Sequence, residues 1–344
     1  VGYLSIRPEI LTRCQDAPLR LRLFVGELPA EMNTPLEPWG AWLSRGWMQD
    51  DIVTLYDLTQ PYVSTRRQAG RYLRVEVLGA SKDFDCCLSD ICFDAVSSAG
   101  DDLFAAEYAQ REDSVAIIRR IAVETLRECM QTVYEDGPKR DRRLWAGDLY
   151  LQSLANRYSF RNFDLTKRCL YLFAALDAED GTLISNIFEY PTPHPQIGSY
   201  MLTYCLLWNS TLLEYLIDTG DRETAEELWP VAKRQMEDAL TYVDKDYLFD
   251  INKRDVWIFF DWRDGLDVTT PMQCATIFAL EQTYELAKRI GKESEVKQYP
   301  AVAAKMRKAA IMHDYDASRG VMTSGPERQV SVLSQTWAIK SGIL

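Results

Sequence analysis

The chain has 344 residues, of which 47% are hydrophobic and 26% charged, and its formal net charge is −12. This is an ordinary composition for a soluble globular protein, and a chain of this length can bury the cores of two domains. The acidic balance disfavours nucleic acid, which requires a clustered basic face, and no apolar run is long enough to span a bilayer, so we expect neither a nucleic acid nor a membrane as partner.

The first part of the chain, residues 1–98, shows the period-two alternation of β-strands. Leucine and valine alternate with arginine and phenylalanine over 19–25, the pattern of a half-buried strand. Similar runs occur at 51–56, 70–77 and 88–93, with glycine and proline between them. We therefore predict that residues 1–98 form a β-sandwich or part of one.

From Asp113 onwards the apolar period becomes that of helices. The first predicted helix has an apolar face made of Ile118, Ile121, Thr125, Cys129 and Val133. Further helices are predicted at 148–158, 164–176, 199–217, 222–243, 271–290, 294–313 and 328–343.

Two of these helical pairs resemble an internal sequence repeat. The segments 220–230 and 291–300 each run from a glycine to an aromatic residue followed by proline, and they lie about 70 residues apart. Helix 199–217, which precedes the first segment, is apolar nearly all round and must be buried on several sides. Such repeats predict an array of helical hairpins in which neighbours complete each other's core.

A charged loop, 135–148, lies between the first two predicted helices and reads EDGPKRDRRLWAGD. Gly137-Pro138 is predicted to stop the helix before it, and Asp148 is a favoured N-cap for the helix after it. A site that cleaves sugars needs this mixture of carboxyls, cations and an aromatic face. The alternative is a solvated, charge-balanced loop.

The order of residues in this loop resembles the catalytic loop of the α-L-rhamnosidases of glycoside hydrolase family 78. The resemblance implies that Asp141 is the general acid and that Asp136 and Asp148 hold the hydroxyls of rhamnose. It also places Arg140 and Trp145 in the sugar pocket. The better-known members have a glutamate as general acid, so the shorter Asp141 implies either a loop closer to the substrate or a weakened acid role.

A second segment, 257–265, resembles the family's Gly-Asp-Trp segment, with Phe260 in place of the glycine. Asp261 and Trp262 suit a deoxysugar, because the ring's apolar face stacks on tryptophan while the carboxylate accepts hydroxyl protons. The alternative is an aromatic core loop.

The resemblance also implies that residues 99–344 form an (α/α)6-toroid-type catalytic domain. A closed toroid has twelve helices and the sequence predicts about eight, so we expect the C-terminal part of this domain to be missing. The family's general base, a glutamate, would then lie beyond Leu344, with Glu189 as a stand-in within the chain. Tyr200 or Trp208 would replace a tryptophan–acid pair of the family that has no match here.

The function that the resemblance implies is inverting hydrolysis of terminal α-L-rhamnosides, with a rhamnose-containing oligosaccharide or glycoside as substrate and no cofactor. One alternative is another (α/α)6 carbohydrate-active enzyme of different sugar specificity. The other is a non-catalytic carbohydrate-binding relative. An open helical array would expose apolar residues, so a homo-oligomer is also expected.

The eight cysteines do not form a disulfide scaffold. Cys129, Cys169, Cys205 and Cys274 fall in apolar helical patterns, where a free thiol behaves as a small hydrophobe. With only two histidines in the chain, we expect no metal site. Reduced thiols favour a cytoplasmic setting, although a signal segment would not be visible in this sequence.

Overall fold

The structure is a computed structural model, which describes residues 1–12, 15–41, 43–83, 85–254 and 256–344. The chain folds into two compact units, which we call the β-unit (1–99 and 124–142) and the helical unit (100–123 and 143–344). The domain boundary after residue 98 stays a prediction.

Two three-stranded antiparallel sheets form the β-unit. Its strands are β1 (Gly2–Ile10), β2 (Leu19–Gly26), β3 (Asp50–Leu55), β4 (Tyr62–Val63), β5 (Tyr72–Gly79) and β6 (Cys86–Ala95), and a short helix α1 (Pro29–Asn33) follows β2. The strand orders are β4-β1-β6 and β3-β2-β5. Leu4 and Ile6 of one sheet share a buried core with Leu19, Leu21 and Leu23 of the other. This confirms the β-sandwich.

Strand β1 is a long strand that the sequence did not reveal. It is the central strand of its sheet, yet it contains Pro8, and proline is normally confined to strand edges. Its partner β4 pairs only at Ser5 and Ile6, so Pro8 lies where β1 has β6 as its single neighbour.

The helical unit contains nine α-helices among the described residues, together with five strands of two or three residues. Its helices are α2 (Ala105–Tyr108), α3 (Ser114–Cys129, whose last turns belong to the β-unit), α4 (Ala146–Arg157), α5 (Phe163–Ala175), α6 (Leu202–Thr219), α7 (Arg222–Leu240), α8 (Thr269–Ile290), α9 (Tyr299–Asp314) and α10 (Val332–Lys340). Its strands are β7 (Leu144–Trp145), β8 (Asn186–Phe188), β9 (His194–Pro195), β10 (Tyr315–Asp316) and β11 (Val321–Met322).

The long helices pack in two layers. Helices α4, α6, α8 and α10 contact one another in that order, while α5, α7 and α9 pack against them as a second layer. The two predicted repeats take equivalent places: α6 packs with α7 and α8 with α9. Helices α6 and α8 are each capped by a glycine, Gly220 and Gly291, with a left-handed φ of 69° and 75°, the usual glycine C-cap. This confirms the six-hairpin, (α/α)6-type architecture.

Helix α3 departs from the prediction. Ile118 and Ile121 of its supposed core face are 65% and 62% exposed, and Ala116 and Leu126 are buried instead. An apolar period shows which face could be buried, but not that a neighbour is present to cover it. Helix α3 also ends at Cys129, well before Gly137-Pro138.

No described helix is both long and apolar enough to cross a membrane. Within the same described ranges, no group of three or more histidine, cysteine, aspartate or glutamate side chains could hold a metal ion. The four helical cysteines, Cys129, Cys169, Cys205 and Cys274, are free and buried as expected.

Candidate active site

The charged loop 135–148 runs across the division between the two units. Residues up to Arg142 belong to the β-unit, and residues from Arg143 belong to the helical unit. The predicted acid Asp141 is therefore described with its own neighbours in the β-unit, and Trp145 and Asp148 with theirs in the helical unit.

In the β-unit, Asp141 lies in a tight turn and is largely buried. Its side chain is 12% exposed, and Oδ1 lies 3.3 Å from Nε of Arg140, close enough for an ion pair. The turn is closed by the backbone N–H groups of Arg140 and Arg142, which donate to the carbonyl of Gly137 at 3.3 and 3.1 Å. Asp136, which precedes the turn, is half-buried. Arg140 thus places a cation beside Asp141.

The remaining cations of this half of the loop are directed elsewhere. Arg142 donates from Nε to the carbonyl of Pro138 at 2.8 Å and from Nη2 to the carbonyl of Arg67 at 2.7 Å. Burial, together with the charge of Arg67, lowers the pKa of the Arg142 guanidinium. Lys139 pairs with Glu31 of α1 at 2.5 Å. Arg142 and Lys139 therefore fasten the loop, whereas Arg140 lies beside the acid.

In the helical unit, Trp145 ends strand β7 and serves as the N-cap of α4, with extended backbone angles. Asp148 is not the N-cap that the sequence suggested but lies in the first helical turn, because the helix begins as soon as Trp145 leaves its pairing with Asn186. Burial raises the pKa of Asp148. A carboxyl in this environment destabilises the folded protein when it is charged. Destabilising groups of this kind are common at functional sites.

A chain of edge-to-face aromatic rings connects the two segments singled out in the sequence. Trp145 meets Tyr204 of α6 at 6.0 Å between ring centroids, Tyr204 meets Phe259 at 6.1 Å, and Phe259 meets Trp262 at 4.9 Å. Trp262 is 76% exposed. The structure thus joins Trp145 and Trp262 in one aromatic wall through two residues between them.

Segment 257–265, which carries Asp261 and Trp262, is held at both ends. Thr203 donates to the carbonyl of Phe259 at 3.0 Å. The side-chain amide of Gln329 donates to the carbonyl of Gly265 at 2.8 Å and accepts from the N–H of Asp267 at 2.9 Å.

Phe260 and Asp261 have different surroundings. Phe260, which replaces the family's glycine, packs on Trp337 with ring centroids 5.5 Å apart. Asp261 is exposed, and its Oδ1 accepts the N–H of Arg263 at 3.1 Å. Its carboxylate therefore remains accessible to a hydroxyl ligand.

Arg143, the first loop residue in the helical unit, lies over the ring of Phe188 at 4.4 Å and donates to Gln196 at 3.1 Å. Phe188 in turn stacks on His194 at 5.2 Å. These contacts order the irregular segment that leads into α6.

Of the three stand-in residues, Glu189 and Tyr200 have structural partners, and Trp208 lies in the core. Glu189 pairs with Arg168 at 2.7 Å. Tyr200 donates to the buried carboxylate of Asp238 at 2.7 Å, and Trp208 is fully buried. Trp208 therefore cannot contact a ligand in this conformation, and Tyr200 is committed to Asp238.

Sequence reasoning missed Tyr204 and Phe259 as parts of the aromatic wall. The signal that could have revealed Tyr204 is Gly147, since glycine within a helix costs about 1 kcal/mol relative to alanine. A Cβ at Gly147 would lie 2.5 Å from Cε1 of Tyr204, so glycine is required for this ring to approach.

A two-layered array of helical hairpins in one unit and a β-sandwich in the other, with carboxyls and an aromatic wall at the loops, define the six-hairpin class of carbohydrate-active proteins. Residues 108–341 match the bacterial alpha-L-rhamnosidase six-hairpin glycosidase domain. Residues 1–95 match the N-terminal domain of glycosyl hydrolase family 78 alpha-rhamnosidases. The chain belongs to this family of bacterial α-L-rhamnosidases.

Solved structures agree with this assignment. A rhamnosidase from Klebsiella oxytoca with rhamnose bound superposes over 100% of this chain with a TM-score of 0.90 and 37% identity, and the match covers 66% of that protein. A family 78 rhamnosidase from Bacillus sp. GL1 superposes over 99% of this chain with a TM-score of 0.77 and 20% identity, covering 34% of that protein, and so shares the fold.

Among curated proteins, a trehalase from Mycobacterium tuberculosis is 30% identical over 127 residues, which is 37% of this chain and 17% of that protein. The chain thus spans less than two thirds of each of these relatives.

Proposed function

We propose that this chain carries the acid and the sugar-binding groups of an inverting α-L-rhamnosidase. The observation that carries the proposal is the motif 136–148 in a chain 37% identical, over its whole length, to a rhamnosidase with rhamnose bound. The proposal goes beyond family membership, because it assigns a substrate, a stereochemical course and residue roles.

In the proposed reaction, Asp141 donates its proton to the glycosidic oxygen as the bond to the anomeric carbon breaks. Arg140 at 3.3 Å orients the Asp141 carboxyl. An inverting enzyme also needs a carboxylate that activates water on the opposite face of the sugar, about 6.5–9.5 Å from the acid. The ion pair of Glu189 with Arg168 makes Glu189 a poor candidate for that base.

The sugar itself is held by carboxylates and aromatic rings. Asp136, Asp148 and Asp261 accept hydroxyl protons of rhamnose. Trp145 and Trp262 present flat apolar faces to the C–H side of the ring and to its methyl group. Because Trp145 and Trp262 belong to one aromatic wall, a deoxysugar with an apolar face fits better than a fully hydroxylated one.

A panel of aryl glycosides tests the sugar specificity in the protein that carries this chain. We expect aryl α-L-rhamnoside to be cleaved and aryl α-D-glucoside and trehalose to be left intact. Cleavage of trehalose or the glucoside in preference to the rhamnoside would establish the first alternative, a six-hairpin enzyme of different specificity. Rhamnose binding without turnover of any substrate would establish the non-catalytic alternative.

The stereochemical course has its own test. Proton NMR during the first minutes of hydrolysis should show β-L-rhamnose as the initial product, which then mutarotates. Initial α-L-rhamnose would mean retention, and the single-displacement mechanism would be wrong.

A further inference from the structure

Arg67, a residue of the β-unit that lies between β4 and β5, is attached to both ends of the loop that carries Asp141. Its Nη1 donates to Oε1 of Gln131 at 2.6 Å, and its Nη2 pairs with Glu135. Its main-chain carbonyl accepts from Nη2 of Arg142 at 2.7 Å. One residue therefore holds the loop immediately before Asp136 and immediately after Asp141.

The contacts of Arg67 are largely shielded from solvent. The side chain of Arg67 is 17% exposed and that of Glu135 is 3% exposed. A forked guanidinium that meets a carboxylate and an amide at two points fixes direction as well as distance, and an ammonium cannot reproduce this geometry.

The loop between these attachments has a strained backbone. Arg142 has a φ of 53°, in the left-handed region that side chains other than glycine, asparagine and aspartate rarely adopt. Such a conformation persists only where the surrounding structure imposes it, and it is frequent at functional sites. Here the carbonyls of Pro138 and Arg67 impose it through the guanidinium of Arg142.

A second attachment lies at the middle of the loop. Lys139 donates to Oε2 of Glu31 at 2.5 Å. The other carboxylate oxygen of Glu31 accepts the N–H groups of Glu27 and Leu28, both at 3.1 Å. Glu31 is thereby fixed at the start of α1, so Lys139 is tied to an ordered point of the β-unit.

We propose that Arg67 is a positioning residue for Asp141, assisted by Glu31, and that the β-unit therefore sets the orientation of the general acid. Arg67 takes no part in proton transfer; it holds the turn 137–142 so that the Asp141 carboxyl keeps one direction. The inference rests on the proposed function of Asp141. A displacement of about 1 Å in a reacting group can reduce a rate about 10²-fold, so small losses of fixation should be measurable.

The test uses Arg67→Lys, which keeps the charge but loses the fork, and compares two rhamnosides. One has an activated aryl leaving group and the other an alkyl or sugar leaving group that needs protonation. We expect kcat on the poor leaving group to fall about 10- to 100-fold, kcat on the activated substrate to change less than about twofold, and KM to stay close to wild type. In an Asp141→Asn background, Arg67→Lys should have no further effect, because it acts only through the acid.

Glu31→Gln provides a second variant that leaves the buried pair of Arg67 and Glu135 intact, so the proposal is still tested if Arg67→Lys does not fold. It should show the same selectivity for the poor leaving group, to a smaller extent. The matched control is Glu76→Gln, which breaks the exposed pair of Glu76 with Arg22 at 3.3 Å in the same unit, and it should leave both rates unchanged.

Three outcomes would overturn the positioning role. Arg67→Lys and Glu31→Gln could lower both rates equally, their effects could add to that of Asp141→Asn, or both rates could stay unchanged. These outcomes are distinct from failure of the proposed function. If Asp141→Asn itself shows no dependence on the leaving group, the acid assignment is wrong. If Asp141→Asn shows that dependence and the positioning variants do not, only the role of Arg67 and Glu31 is wrong.

Discussion

The ring of Tyr204 meets the indole of Trp145 edge-on, with ring centroids 6.0 Å apart and an interplanar angle of 89°. Tyr204 belongs to the buried helix α6, whereas Trp145 caps α4 at the end of the charged loop. The same tyrosine ring meets Phe259 at 6.1 Å. Tyr204 and Phe259 together therefore connect Trp145 with Trp262, the two aromatic residues proposed to bind the sugar.

The first prediction concerns Gly147→Ala. The new Cβ would lie 2.5 Å from Tyr204, so the tyrosine ring must move and Trp145 with it. We expect a loss of about 1–3 kcal/mol in stability, typical of overpacking, together with weaker rhamnose binding in a titration followed by tryptophan fluorescence. The control is Gly100→Ala, whose Cβ would meet nothing within 4 Å. Unchanged rhamnose affinity in Gly147→Ala would show that the position of the Tyr204 ring does not affect sugar binding.

The second prediction concerns Asp148 and pH. Burial raises its pKa above the ordinary value of 3.8, so between the unfolded and the folded pKa the native state binds more protons than the unfolded state. Stability contributed by this group therefore falls as pH rises through that window. Asp148→Asn should be more stable than wild type at pH 7 while it binds rhamnose less well.

Thermal unfolding at several pH values measures this effect. The stability difference between wild type and Asp148→Asn should shrink as pH falls below the folded pKa, where the wild-type carboxyl is protonated. A wild type that is more stable than the variant at neutral pH would show that the charged carboxylate has a favourable partner, contrary to this account.

The third prediction concerns Gln329, which bridges Gly265 and Asp267 and so closes the segment that carries Asp261 and Trp262. Gln329→Ala should raise amide exchange over 257–265 and raise KM for rhamnosides more than it lowers kcat, because sugar binding loses its preformed surface. A matched control exists in Gln335, whose amide makes the same pair of bonds to the backbone of Met322, at 2.7 and 2.9 Å. If Gln335→Ala changes KM equally, the effect is general destabilisation.

The architecture was largely predictable, because long apolar periods determine helices strongly. Gly220 and Gly291 begin the two repeated segments, each after a long apolar helix. In the structure both are left-handed helix C-caps. The exposed face of α3 was not predictable, since Ile118 and Ile121 have a buried-helix pattern but lie in solvent. Periodicity describes one helix and cannot report whether a neighbour is present.

The sequence predicted individual residues of the candidate site but not the contacts between them. The motif identified Asp141, but the contacts of Arg142 and Lys139 are long-range, reaching Arg67 and Glu31. No spacing along the sequence indicates them. Long-range partners of loop residues depend on tertiary packing, which is why four neighbouring cations looked interchangeable before the fold was known.

The central claim is that Asp141 is the general acid, and leaving-group dependence tests it most directly. In the protein that carries this chain, Asp141→Asn should lower kcat on an alkyl or disaccharide rhamnoside by about 10²–10⁴-fold, the usual reach of general acid catalysis. It should lower kcat far less on an activated aryl rhamnoside, whose leaving group needs little protonation. Asp136→Asn, at a proposed hydroxyl-binding carboxylate, serves as the control and should reduce both rates alike. Equal losses on the two substrates in Asp141→Asn would contradict the account and remove Asp141 from the acid role.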